Sequence, residues 1–318
     1  MLYDAVTLVA HADWSKNEHK RWLAVANRVT DGGWIALATW QVKNARNLLP
    51  TLRGAAGAGG CALVGFDFPI GLPATYAHKV AVTDFLEWLP GLGQGLWSEF
   101  FQVAEHRDQI NLYRPFYPYK SGGAKRIHLV QKLGVNSFDD LRRLCEQAHP
   151  DRRAACPLFW TLGGQQVGKA AITGWQEMLI PGLLDDNINL ALWPFSGPLV
   201  SLLVPGRVVI VETYPAEAYK PFGIRNKPGK RSQVARRANA RTLLDFANKN
   251  EVNCTPELEH EILDGFGHHP DGEDRFDAWI GLLWMLYWLK RGTLPEPQDQ
   301  TLIKLEGWIY GQQLITNP

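Results

Sequence analysis

Five acidic residues stand where runs of apolar residues begin or stop. Asp13 follows the run 5–12 (AVTLVAHA), Asp67 follows 61–66 (CALVGF), and Glu212 follows 207–211 (RVVIV). Asp274 and Asp277 head the apolar stretch that continues to Leu289. Acids distant in sequence converge when they sit at the ends of neighbouring strands, and two acids three residues apart share one face of a helix. Hard divalent cations prefer oxygen ligands, and a pair of them about 3.5–4 Å apart clamps the attacking and leaving oxygens of a phosphoryl transfer. The expected catalytic set is therefore Asp13, Asp67, Glu212 and Asp277, with Asp274 added as a metal ligand. The expected cofactor is Mg²⁺ or Mn²⁺ in a two-metal site. Asp13 would bridge the two ions, Glu212 and Asp277 would each complete one coordination sphere, and Asp67 or Asp274 would supply the remaining charge. Each acid alone also has an ordinary reading: Asp67 as a turn residue before Pro69, Asp274 as a helix cap. Glu212 weighs most, because a carboxylate placed directly on a buried strand is costly without a partner.

The substrate side of such a site needs cations. Residues 225–241 (RNKPGKRSQVARRANAR) hold seven of them and no acid. Phosphate backbones select clusters of this kind because neutralising phosphates releases counterions. Lys220, Arg225, Lys230, Arg231, Arg236 and Arg237 are the expected substrate contacts, with a solvated basic helix face as the alternative. Residues 163–169 (GGQQVGK) match the first seven positions of a phosphate-binding loop, but Ala170 stands where Ser or Thr must hold Mg²⁺. A glycine-rich turn is the reading there, with Lys169 lining a cleft. Residues 113–125 alternate aromatics with Arg114, Lys120 and Lys125, as single-strand stacking surfaces and packed Pro/aromatic loops both do. His268 and His269 read as loop histidines. None of the 13 tryptophans falls in a spacing that marks an organic cofactor box.

The elements that must position these groups can be read in order. Runs 5–12, 21–29 and 33–42 are strand-like, and the Asp31-Gly32 turn makes the last two a hairpin, so an antiparallel meander is expected. A helix over 44–53 ends in GAAGAGG, and 61–66 is a continuous apolar strand of the kind buried on both faces in a parallel sheet. Strand character returns at 207–211, followed by a basic helix over 232–249 and an apolar helix from about 274 to 289. Between lies an irregular stretch with helical segments near 83–105 and 137–147. The fold class is thus α/β: a mixed five-stranded sheet of antiparallel meander plus parallel strands, flanked by helices, with a large, mostly helical insertion. The core is expected over 1–72 and 206–318, and the insertion subdomain over 73–205. The order β-β-β-α-β-(insertion)-β-α is that of the RNase H-like fold.

The motifs HADWS, GFDFPIGLP, VETYPAEAY with its basic sequel, DGEDRFDAWIG and EGWIYG together resemble the predicted RNase H-like nuclease family catalogued as domain of unknown function 429. The resemblance runs from Asp13 to Gly311. It implies an RNase H-like nuclease, with Asp13, Asp67, Glu212 and Asp277 at the family's acidic positions, hydrolysing phosphodiester bonds of DNA or RNA.

Composition bounds these readings. With 46% hydrophobic and 20% charged residues the chain is neither disordered nor collagen-like. A net charge of +1 supplies no whole-molecule field toward nucleic acid, so any such binding uses a local patch. The four cysteines form no C-x-x-C pair, Asp4 stands where a secretion signal carries positive charge, and the longest apolar run is short of a membrane span. A cytoplasmic protein without membrane contact is the expectation. Two rival functions keep the same fold. One is a non-catalytic protein binding nucleic acid or a phosphate ligand. The other, an ATP-using enzyme of the actin and sugar-kinase type, needs glycine and threonine soon after the first acid, and Asp13-Trp14-Ser15-Lys16-Asn17 lacks them.

Overall fold

A computed structural model describes residues 3–30, 32–148, 152–162, 167–224 and 229–313. The chain forms two compact units. The first comprises Met1–Asp67, Asp185–Pro295 and Ile309–Gln312; the second comprises Phe68–Leu184, Glu296–Trp308 and Gln313–Pro318.

The first unit is built on a mixed eight-stranded sheet. Its strands are β1 (Val6–Asp13), β2 (Trp22–Arg28), β3 (Trp34–Ala36), β4 (Trp40–Gln41), β5 (Cys61–Phe66), β6 (Leu190–Leu192), β7 (Val208–Glu212) and β8 (Val252–Cys254). The order is β6-β7-β5-β1-β2-β3-β8, with β4 also paired to β2. β1, β2 and β3 form the antiparallel meander, and β1, β5, β7 and β6 run parallel. Every residue of β5 and β7 is buried, as continuous apolar strands covered on both faces should be.

The sheet exceeds the expected five strands for two reasons. The expected third strand breaks at 37–39, where the backbone N–H and Oγ1 of Thr39 turn aside to donate to Glu261 Oε2 at 3.3 and 3.1 Å. Two parallel edge strands, β6 and β8, are three residues long, too short to register as patterns. β6 also ends the insertion earlier than expected: the sheet-bearing unit resumes at Asp185 rather than 206. Asp31 of the hairpin turn lies outside the described residues; the β2–β3 pairing is as expected.

Four helices of this unit matter for the site: α1 (Ala45–Ala56), α2 (Gln233–Lys249), α3 (Pro256–Leu263) and α4 (Gly272–Arg291). α1 starts at Asn44, whose side chain accepts the Arg46 N–H, and buries Leu48, Leu49, Leu52 and Ala56 as one stripe. α4 is apolar nearly all round and packs on β1 and β2. It stops at Gly292, which takes the left-handed conformation (φ 69°) that favours glycine.

The second unit carries one continuous helical run over 167–183, in which the π-helical segment Trp175–Leu179 joins two α-helical ones, and otherwise consists mostly of short helical segments around aromatic rings. The longer helices expected near 83–105 and 137–147 are replaced by a four-residue helix, Phe85–Trp88, and isolated 3-10 turns. Phe100 stacks on Trp175 with centroids 6.2 Å apart. Frequent prolines and glycines keep each turn short. A buried Arg143–Glu146 pair at 3.0 Å ties it together, with Arg143 also donating to the carbonyls of Ile70 and Glu306. No helix among the described residues is long and apolar enough to cross a membrane.

Candidate active site

β1 and β5 are parallel neighbours with Ala12 level with Phe66. The next residues, Asp13 and Asp67, therefore emerge side by side on one face. Their carboxyl groups hydrogen-bond to each other, and the Trp14 N–H donates to Asp67 Oδ1 at 2.7 Å. The first turns of α4 bring Glu273, Asp274 and Asp277 to the same place: Asp274 and Asp277 both repel Asp13. Burial and the neighbouring Asp67, Asp277 and Asp274 hold the Asp13 carboxyl well above the usual carboxylate range. Burial pushes Asp67 up to about 6 against the opposing Trp14 N–H. Asp274 also reaches about 6, through burial and the charges of Asp277 and Glu273, and its buried Oδ2 has no hydrogen-bond partner.

A cation is built into this cluster. Lys230 Nζ contacts Asp277 Oδ2 and lies 3.5 Å from Glu273 Oε1. Tyr219, at the end of the one-turn helix after β7, donates its hydroxyl to Asp277 Oδ1 at 3.0 Å. Burial raises Asp277, which Lys230 and Tyr219 partly offset. In return, burial acts to lower the Lys230 ammonium but the Asp277 charge prevails and holds it above its ordinary value.

His11 lies beneath the cluster on the same face of β1 as Asp13. It is fully buried, with Nδ1 3.1 Å from the Ala278 carbonyl and Nε2 2.7 Å from Thr213 Oγ1. A carbonyl only accepts, so Nδ1 carries the proton and Thr213 donates to Nε2. Burial drives the imidazole down to about 3, so it is neutral. The ring thus joins β1 to the residue after β7 and to the residue after Asp277. Two glycines leave it room: a Cβ on Gly281 would stand 2.2 Å from the ring, and one on Gly65 would meet it at 3.2 Å and Met285 at 2.5 Å.

Of the five expected acids, four converge. Glu212 does not: it is level with Phe66, itself level with Ala12, so strand alternation turns its side chain to the face opposite Asp13 and Asp67. Its expected place completing one of the two coordination spheres fails for that reason. It is buried on that other face, and its carbonyl accepts the Tyr310 N–H at 2.8 Å.

The expected substrate cations also separate. Lys230 is in the cluster. Arg231 is mostly exposed and sits 3.6 Å from Glu273. Arg236 is not a phosphate contact: it is 2% exposed, and its guanidinium donates to the carbonyls of Lys230, Arg231, Gly265 and Gly267. It clamps two loops to α2. Lys220 and Arg237 are exposed, Arg225 lies outside the described residues, and Lys169 belongs to the second unit on the helix Val167–Gly174. Of the glycine-rich loop, 163–166 lie outside the described residues. His269 is exposed and pairs with Asp271 at 2.8 Å.

Sequence reasoning missed His11, Thr213, Tyr219 and Glu273. All four lie inside motifs it used, one or a few residues from an acid already chosen. A lone histidine inside an otherwise apolar strand was the available signal for His11.

The donor set suits a hard divalent cation: it is all carboxylate oxygen, mutually repelling, with one buried oxygen left unpartnered. As they stand, no group of three or more His, Cys, Asp or Glu side chains among the described residues is arranged to hold a metal ion. Asp13 and Asp67 are turned toward each other, and Asp277 is engaged by Lys230 and Tyr219.

Compared with known proteins, the chain matches no family model, no curated protein and no solved structure.

Proposed function

We propose that this protein is a divalent-metal-dependent phosphodiester hydrolase of RNase H-like fold, acting on nucleic acid. The observation that carries the reading is the convergence of Asp13, Asp67, Asp274 and Asp277 from three elements onto one face, at the C-terminal ends of parallel strands where open α/β sheets place ligands. The strand order β3-β2-β1-β5-β7, a meander followed by parallel strands, supports the fold assignment and the resemblance to the domain of unknown function 429 family.

Asp13, Asp67 and Asp274 would hold Mg²⁺ or Mn²⁺. When bound, such a cation polarises a phosphoryl oxygen and favours attack by water. The chain's own groups do the rest. The Trp14 N–H fixes the Asp67 carboxylate, and His11 fixes β1 against α4. Lys230 and Arg231 offer positive charge to the substrate phosphate at the edge of the cluster, and Arg236 holds the backbone that presents them.

The test is cleavage of labelled single-stranded, double-stranded and branched DNA and RNA with Mg²⁺, Mn²⁺ or EDTA, wild type beside Asp13→Asn. Metal-dependent cleavage, reduced at least 100-fold in Asp13→Asn, is expected. Undiminished cleavage by the variant overturns the mechanism. Salt-sensitive binding without cleavage would replace it with a nucleic-acid or phosphate-ligand binding role on the same fold.

A further inference from the structure

The acidic cluster contains a feature that a two-metal site does not require. Asp277, the acid that should complete a second coordination sphere, has both oxygens committed: Oδ1 accepts from the Tyr219 hydroxyl at 3.0 Å, and Oδ2 from the Lys230 ammonium. Lys230 is not there by the reach of a loose side chain alone. Its own carbonyl accepts from Arg236 Nη1 at 2.6 Å, and Arg236 is anchored in turn on Gly265 and Gly267 just before α4. The same ammonium lies 3.5 Å from Glu273 and acts electrostatically on Asp13 and Asp67. The ammonium that occupies Asp277 therefore belongs to a side chain whose backbone is fastened, through Arg236, to the loop that leads into the helix carrying Asp277.

We infer that Lys230 stands in for the second metal ion, so that the site takes one divalent cation, on Asp13, Asp67 and Asp274, with the lysine ammonium as its fixed partner charge. This rests on the metal-dependent reading above and makes it more specific. A tethered ammonium supplies one positive charge and three donors but no Lewis acidity, so it suits the neutralisation of a phosphate oxygen rather than the activation of water. Arg231, paired to Glu273 at the rim, extends the same positive edge.

The experiment is Mn²⁺ titration of the full chain by calorimetry, with stoichiometry checked by equilibrium dialysis. Wild type is expected to bind one Mn²⁺. Asp277→Asn should keep that ion within about threefold in Kd, because Asp277 serves the lysine, whereas Asp13→Asn should weaken it at least tenfold. Lys230→Met should bind a second ion, and Lys230→Gln, which keeps a polar side chain in place, should do the same if the methionine variant is poorly folded. Two ions in wild type, or loss of an ion in Asp277→Asn, overturn the inference and leave the hydrolase reading standing. One ion in wild type and still one in both folded lysine variants also overturns it. No Mn²⁺ binding at all overturns both.

Discussion

At the scale of single residues, the cluster is a place where the fold is strained by charge. Burial and the neighbouring Asp67, Asp277 and Asp274 hold the Asp13 carboxyl well above its unfolded range. A carboxyl raised on folding contributes stability below its unfolded pKa of 3.8 and loses it as pH rises through the folded value. In EDTA at pH 7, Asp13→Asn should therefore melt above wild type, by roughly 1–2 °C if the relief is about 1 kcal/mol. The gap should close near pH 4. Calorimetric scans of both proteins across that range decide it; a variant that melts lower at pH 7 would show that the Asp13–Asp67 hydrogen bond outweighs the repulsion. His11 has the opposite sign. Its pKa falls to about 3 on folding from about 6.5, so the folded state binds fewer protons and stability drops as pH falls below 6.5. Wild type should lose about 1.4 kcal/mol per pH unit against His11→Gln between pH 6 and 4.5. Urea denaturation at each pH measures this, and a constant gap would mean that His11 is charged in the fold.

At the scale of elements, the close approach of α4 to β1 is what brings Asp277 to Asp13. It depends on Gly281 facing the His11 ring, where an added Cβ has no space. Gly281→Ala should cost about 1–3 kcal/mol, the usual range for overpacking a full core. Gly54 in α1 is the control: nothing lies within 4 Å of its would-be Cβ, so Gly54→Ala should stabilise by about 0.5–1 kcal/mol through helix propensity. Equal effects at the two positions, read by chemical denaturation, would sink the packing argument. The same elements show what was legible in the sequence. β1, β2, β5, β7, α1, α2 and α4 announce themselves because length and apolar periodicity coincide. β6 and β8 do not, since three residues paired at an edge leave no period to read. The face on which Glu212 points was also hidden. Apolar runs buried on both sides carry no alternation, so only the register of β7 with β5 and β1 settles it. Arg236 was misread because a basic run does not say which member turns inward to bind carbonyls.

At the scale of the whole molecule, the net charge of +1 means that any affinity for a polyanion would have to come from a local patch; in the proposed reading that patch is the edge formed by Lys230 and Arg231, once the acids beside them are neutralised. Stability, cation binding and pH are consequently linked. A ligand that binds only the folded chain stabilises it by RT ln(1 + [L]/Kd), about 4 kcal/mol at 1,000 times Kd. Asp67 and Asp274, both near 6 without a cation, must release protons to bind one, so protons compete with the metal below that pH. Mn²⁺ should therefore raise Tm by several degrees at pH 7 and by clearly less at pH 5, while Asp13→Asn shows little gain at either. The comparison of Tm with and without Mn²⁺ at the two pH values reads this directly. A gain equal at both, or equal in Asp13→Asn, would place the Mn²⁺ elsewhere on the protein. It would also remove the carboxylate cluster from the account of function.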